Sequence, residues 1–155
     1  MAAQGRWLAL PFMRRPLSRA PEPGLRVAVV TTFVASKEPL AMLRRTIMAI
    51  AAMDYPHDTW VLDEEDDPAV RALCEEAGAR HYTRRHRTAR LTEGGTFQRG
   101  SKHGNYNAWL LDEGYGGYQV IAGFDPDHVP DRDFLTATLG YFRDRRWATS
   151  RRLKA

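Results

Sequence analysis

A single cysteine, Cys74, stands in the 155 residues, so no disulfide can form within the chain and a reducing compartment is the natural default. Its "ALCEEAG" setting reads as a packed helix face rather than a nucleophile. No apolar run approaches the ~20 residues that span a bilayer. Histidines 57, 81, 86, 103 and 128 never take a His-x-x-x-His spacing, which argues against zinc. Gly-x-Ser-x-Gly, Walker and Gly-x-Gly-x-x-Gly motifs are missing too. Nor is one charge sign in large excess: 23 Lys+Arg against 19 Asp+Glu leave +4, compatible with phosphate-bearing ligands but selecting no class of them. The basic stretch 84–101 lacks the aromatic interleaving of single-strand binders, so no nucleic-acid partner is expected and a solvated loop is the simpler reading.

What is present is enough apolar residue, 43%, for one globular core. "APEPG" at 20–24 punctuates the chain, separating a leader, 1–24, from a domain over 25–144 and a basic tail, 145–155. The leader's "WLALPFM" is short, broken by Pro11 and followed by arginines, the wrong order for a secretory signal. It reads either as a disordered segment or as one lying on a membrane surface.

Within the domain, strand and helix patterns alternate. "LRVAVVTTFV" is a continuous β-branched run, as in a strand covered on both faces. Leu40, Leu43, Ile47 and Ile50 then recur at helical spacing behind Pro39. "TWVLD" and "ARHYT" read as short strands around the helix "DPAVRALCEEAG", closed by Gly78. "KHGNYNAWLLDEG" resumes helical spacing through Tyr106, Leu110 and Leu111, "YQVIAGFD" is another buried strand, and "DRDFLTATLGYFRD" a last helix capped by Asp131 or Asp133. Such alternation predicts an α/β fold, a three-layer αβα arrangement around an open, mostly parallel sheet.

Ligands of such sheets bind beyond the carboxyl ends of the strands. Three predicted strand ends carry polar residues: Thr31 and Thr32, Asp63, and Asp125 with Asp127. Asp63 suits a ribose or base, or equally a helix cap. Asp125 and Asp127 flank Pro126 in a turn and can aim two carboxylates at one hard cation, with His128 as a third ligand or a supporting group. Lys102, Asn105 and Asn107 open a helix whose free N–H groups suit a phosphate, or else simply cap a polar turn.

With these motifs in order, the chain resembles the family 2 glycosyltransferases of the processive, bacterial cellulose synthase group. The matching stretches are "MDYPHDTWVLDEEDDPAVRALCEEAGARHYTR", "KHGNYNAW" and "FDPDHVP", against the family's Tyr-Pro…Val-Leu-Asp-Asp, Lys-x-Gly-Asn-x-Asn and Asp-x-Asp-His. The resemblance implies a GT-A, Rossmann-like nucleotide-binding fold, a UDP-sugar donor and an inverting transfer to a polysaccharide acceptor. It would put the uridine on Asp63, the donor pocket on Lys102, Asn105 and Asn107, and Mg²⁺ or Mn²⁺ and the donor on Asp125 and Asp127. Thr32 and Glu38 fall near the family's first-strand donor contacts, though "TTFVASKEP" is longer than the family's pattern. Full-length relatives are integral to the cytoplasmic membrane with this domain facing the cytoplasm, the location implied here. An alternative from another class is a nucleotide-binding or interaction module without transferase activity.

By the same resemblance the chain corresponds to the donor-binding half alone. The family's catalytic Asp, in a Thr-Glu-Asp motif, belongs downstream of Asp127 and has no counterpart here, so no catalytic residue is assigned and little or no transfer is expected. "RDRRW", 143–147, has Arg143 where the family's acceptor-side motif has Gln. After Asp144 the tail reads "RRWATSRRLKA" where the family has Asp-Pro-x-x-Gly-Tyr-Val-Gln. With permitted codons, the frame one nucleotide earlier reads Pro-Ala-Leu-Gly-Tyr-Val-Gln-Ala-Ala-Gln. A frameshift near Asp144 is therefore expected. Sequencing the gene should reveal that reading frame, and its absence would overturn the expectation.

Overall fold

In the computed structural model, residues 19–143 are described. The leader, 1–24, lies largely outside those residues, and the tail, 145–155, with the frameshift expected near Asp144, lies wholly outside them.

The chain's most continuous β-branched run becomes β1, Val27–Phe33, buried at all seven positions. A strand buried on both faces must be covered by helices on both sides and paired along both edges. That is what surrounds it: β2, Asp58–Asp63, pairs parallel along one edge and β4, Val120–Phe124, along the other, while β3, Arg80–Tyr82, extends the sheet beyond β2. The order is β3-β2-β1-β4, all parallel. Register places Thr32 opposite Leu62, Phe33 opposite Asp63, and Thr31 opposite Phe124.

The two faces separate by the period-2 rule. Val27 and Val29 pack with Ile50, Met53, Leu135 and Leu139, and Phe33 with Leu43, Ile47, Val70 and Leu73. These partners belong to α1, Leu40–Ala51, with Met53 just past its end, to α2, Pro68–Ala77, and to the last helical segment, α5 at Phe134–Thr138 with a tighter turn through Arg143. Ala28 and Val30 face the other way, onto Trp60, Leu62, Tyr82, Ala108 and Trp109, the last two from α3, Lys102–Trp109. Three αβα layers result, as the alternation predicts. Leu43, Ile47 and Ile50 are fully buried at the spacing read from sequence, each contributing about 1.5–3 kcal/mol of apolar burial. Gly78 closes α2 at φ 65, a left-handed position that favours glycine.

Four expectations need correction. Helix α3 buries Gly104, Asn105, Ala108 and Trp109 most deeply, small residues letting it sit close on the sheet, with Tyr106 and Leu110 partly buried against the same core and Leu111 left outside it. A π turn at Leu110–Gly114 then shifts the helical phase, leaving Leu111 half exposed before the short α4, Tyr115–Gly117. The β4 strand is only partly buried, because among the described residues it has one sheet neighbour. Neither aspartate caps α5 by its side chain: Asp133 holds the cap position with near-helical backbone, and Phe134 N–H bonds the Asp131 carbonyl. The 84–101 segment is no simple solvated loop, since it folds around a buried arginine described below. Among the described residues no helix is long and apolar enough to cross a membrane.

Cys74 is buried on α2 and unpaired. Burial pushes its thiol up to about 12, with the Asp63 charge adding to the shift. The folded pKa lies above the unfolded one, so this stability contribution is full below about pH 9 and disappears as pH rises toward 12. The thiol should resist a disulfide reagent at pH 8 in the native protein and react at once in denaturant.

Candidate functional site

At the carboxyl ends of β1, β2 and β4 lies a pocket of about 300 Å³, lined by Thr32, Glu38, Glu64, Ser101, Lys102, Asn105, Asp125 and Asp127 among others. The parallel sheet explains the convergence: strands running the same way discharge their loops at one edge. Thr32, one residue before the end of β1, is nearly buried. Glu38 turns back on the chain after β1, its Oε2 accepting from Val34 N–H at 2.9 Å.

Asp63 is fully buried and does not line the pocket. Its carboxylate accepts from the Glu65 and Asp67 N–H groups at 3.0 and 2.6 Å and meets His81 Nε2 at 3.0 Å. It therefore organises the turn after β2, while Asp67, accepting from Ala69 N–H, caps α2. In that turn Asp66 sits at φ 60. Burial works against ionisation of Asp66, but hydrogen bonds from His86 and Arg71 outweigh it and hold its carboxyl below the usual range. Asp63, Asp66 and His81 bring ligand atoms within 4.8 Å of one another. Backbone amides and Arg71 already supply positive counterparts there.

The second wall is the start of α3. Ser101 caps it, its Oγ accepting from Gly104 N–H at 3.1 Å. Lys102 Nζ pairs with Asp125 Oδ1 across the pocket, both side chains about half exposed. Asn105 is buried and donates through Nδ2 to the Leu62 carbonyl at 3.1 Å, while its Oδ1 has no partner. A buried, unpaired acceptor in a pocket wall suits a donor on a ligand. Asn107 departs from this group: its Nδ2 bonds the Thr96 carbonyl at 2.9 Å, so it ties the 84–101 loop to α3 instead of facing the pocket.

The third wall is the turn after β4. His128 N–H bonds the Asp125 carbonyl at 3.0 Å, and Thr46, buried on α1, donates to the Pro126 carbonyl at 2.7 Å. So fixed, Asp125, Asp127 and His128 place ligand atoms within 4.8 Å of one another. Exposed, oxygen-rich and open to solvent, this set matches a hard divalent cation that keeps water or phosphate oxygens in its remaining positions.

Sequence reasoning missed Glu64, Thr46 and Arg84. Glu64 lies next to the aspartate chosen in its place, and only the turn geometry shows which of the pair faces the pocket. Arg84 is fully buried. Its Nε and Nη2 hold both Glu64 oxygens at 3.0 and 2.8 Å, and its remaining donors meet the carbonyls of Arg90, Phe97 and Gln98 at 3.1, 3.0 and 2.9 Å. A guanidinium satisfied this fully tolerates burial; removing one partner of such a pair costs about 3–5 kcal/mol.

No family model matches the chain. Among curated proteins it is 31% identical over 135 residues to the UDP-forming cellulose synthase catalytic subunit of Xanthomonas axonopodis pv. citri (strain 306), covering 85% of this chain and 17% of that protein. The Pseudomonas fluorescens (strain SBW25) subunit is 33% identical over 138 residues, covering 86% and 17%. Cellulose synthase 2 of Novacetimonas hansenii is 32% identical over 86% of this chain and 8% of its own length. The chain thus spans less than a fifth of these relatives. A solved mannosyltransferase, PcManGT of Pyrobaculum calidifontis in complex with GDP-Man and Mn²⁺, superposes with a TM-score of 0.58 at 21% identity over 89% of this chain and 39% of its own, a likeness of fold.

Gly104 makes the α3 wall possible. A Cβ there would meet the Gln98 carbonyl oxygen, Ser101 Oγ at 2.7 Å and Arg84 Nη1 at 2.8 Å. Gly104→Ala should destabilise the fold by about 1–3 kcal/mol, read as a lowered denaturant midpoint, despite the better helix propensity of alanine.

Proposed function

On the footing that the chain is homologous to cellulose synthase catalytic subunits, which are glycosyltransferases, we propose that its pocket is the donor site of a family 2 glycosyltransferase domain, taking a UDP-sugar together with Mg²⁺ or Mn²⁺. The observation that carries this is the convergence on one pocket of Lys102, Asn105 and the Asp125/Asp127 pair, drawn from separate stretches of chain. Asp125 and Asp127 would hold the ion. When bound, it supplies positive charge to a diphosphate leaving group. Lys102 adds a cation on the same side, and its pairing with Asp125 puts an ammonium beside the carboxylates in the protein alone. Thr32 and Glu38 lie on the first-strand side of the pocket, where the nucleoside would sit. Asp63, its oxygens engaged, would support the uridine by fixing the turn that carries Glu64.

Support for the reading comes from the UDP-forming relatives and from a neighbouring fold solved with a nucleotide sugar and Mn²⁺. A polysaccharide acceptor and a base to deprotonate it complete the reaction in this scheme. The sequence offers no Thr-Glu-Asp motif for that base, so the 155 residues are expected to bind donor and transfer little or nothing. A cytoplasmic setting with the leader against a membrane surface belongs to the same proposal.

Calorimetry with UDP should show binding in Mn²⁺ that chelation abolishes, and Asp127→Ala should weaken it by roughly tenfold or more. UDP binding of equal strength with the metal removed, or no binding at all, would overturn the donor-site reading.

A further inference from the structure

Glu64 presents a carboxylate at the pocket where, on the reading above, a diphosphate approaches. Left alone it would repel that ligand. It is not left alone: Arg84, with no exposed surface, grips both of its oxygens from behind, and Glu64 Oε1 also accepts from Gly100 N–H at 2.9 Å. The same guanidinium takes the carbonyls of Phe97 and Gln98, immediately before the Gly100–Lys102 corner of the pocket. One buried cation thus neutralises the wall and holds the strip of chain that leads into α3.

We infer that Arg84 is a positioning residue for the donor site, setting both the charge of the Glu64 wall and the place of the Gly100–Lys102 corner for a diphosphate-bearing ligand. Arg84 does not line the pocket, so it acts through Glu64 and the main chain. The backbone of the Asp125/Asp127 turn is held separately, by Thr46 on α1, and meets the corner through the half-exposed Lys102–Asp125 pair. Loss of Arg84 should therefore damage nucleotide binding far more than metal binding. The inference rests on the donor-site reading, and the wild-type titration tests that reading by itself.

The experiment compares wild type, Arg84→Met and Glu64→Gln in thermal melting, in Mn²⁺ titration without nucleotide, and in UDP titration with saturating Mn²⁺. Both substitutions break the same buried pair, so a purely structural role lowers melting temperature and UDP affinity together in both. A positioning role splits them. Arg84→Met leaves an unneutralised carboxylate in the wall and should weaken UDP roughly tenfold or more. Glu64→Gln removes that carboxylate and keeps the guanidinium's bonds to Phe97 and Gln98, so its loss of UDP affinity should be clearly the smaller of the two. Mn²⁺ affinity should stay within about twofold of wild type in both variants. Equal losses of UDP affinity in the two, or wild-type affinity in Arg84→Met, would overturn the inference. Absence of UDP binding by wild type overturns the donor-site reading instead, and with it the role assigned to Arg84. If Arg84→Met does not melt cooperatively, Arg84→Lys replaces it: charge kept and fork lost should place UDP affinity below that of Glu64→Gln, and the reverse order would overturn the inference.

Discussion

Two parallel hydrogen-bond ladders on β1 set the frame for everything else. Because the central strand is paired in parallel on both edges, the loops after Phe33, Asp63 and Phe124 leave at the same end. A register slip of one residue would turn Val27 and Val29 toward the α3 layer and Ala28 and Val30 toward α1, exchanging small and large residues across both interfaces. The pocket is a by-product of that constraint: no single segment contains it, and no segment can leave the sheet without opening it.

Against this frame the charges are arranged in two ways. Those deep in the protein are closed sets: Asp63 with two backbone amides and His81, Arg84 with Glu64 and main-chain carbonyls. Low-dielectric surroundings punish any missing partner there. Those at the pocket mouth, Lys102, Asp125 and Asp127, remain open to solvent and to exchange of partners, since exposed pairs are worth little individually. Closed sets give shape, and open ones keep their charge available to a change of partner.

Much of this was legible in the sequence, and what was not shares a cause. The continuous buried run of β1 and the Leu43, Ile47, Ile50 spacing of α1 appear in the structure, because burial selects directly on side-chain character. Thr32, Glu38, Lys102, Asn105, Asp125 and Asp127 share one pocket, as the positions of strand ends and motifs suggest. Asp63 and Asn107 instead turn their polar atoms to the main chain. Composition reports that a residue can make hydrogen bonds and is silent on which partner takes them. Arg84 hides in a run of surface-like arginines, since nothing local distinguishes it from Arg85 or Arg87; only the fit of its five donors to the Glu64 carboxylate and three main-chain carbonyls does. The α3 face was misread because Gly104, Ala108 and Asn105 bury without being large or apolar, a pattern set by the nearness of the sheet.

The outermost position of β4 among the described residues has a kinetic meaning. The strand that delivers Asp125 and Asp127 is held by one ladder, by the Tyr106 ring lying close over Gly123, and by the single Thr46 bond beyond it. Local opening there needs fewer contacts broken than opening of β1 or β2, so its amides should exchange with solvent earlier than those of the centre. The pocket then has one stiff jaw, built on β1, β2 and α3, and one compliant jaw that carries the carboxylates. Whatever draws Asp125 and Asp127 against Lys102 also bears on an outer seam of the sheet, so occupancy of the pocket and order at that edge should rise together.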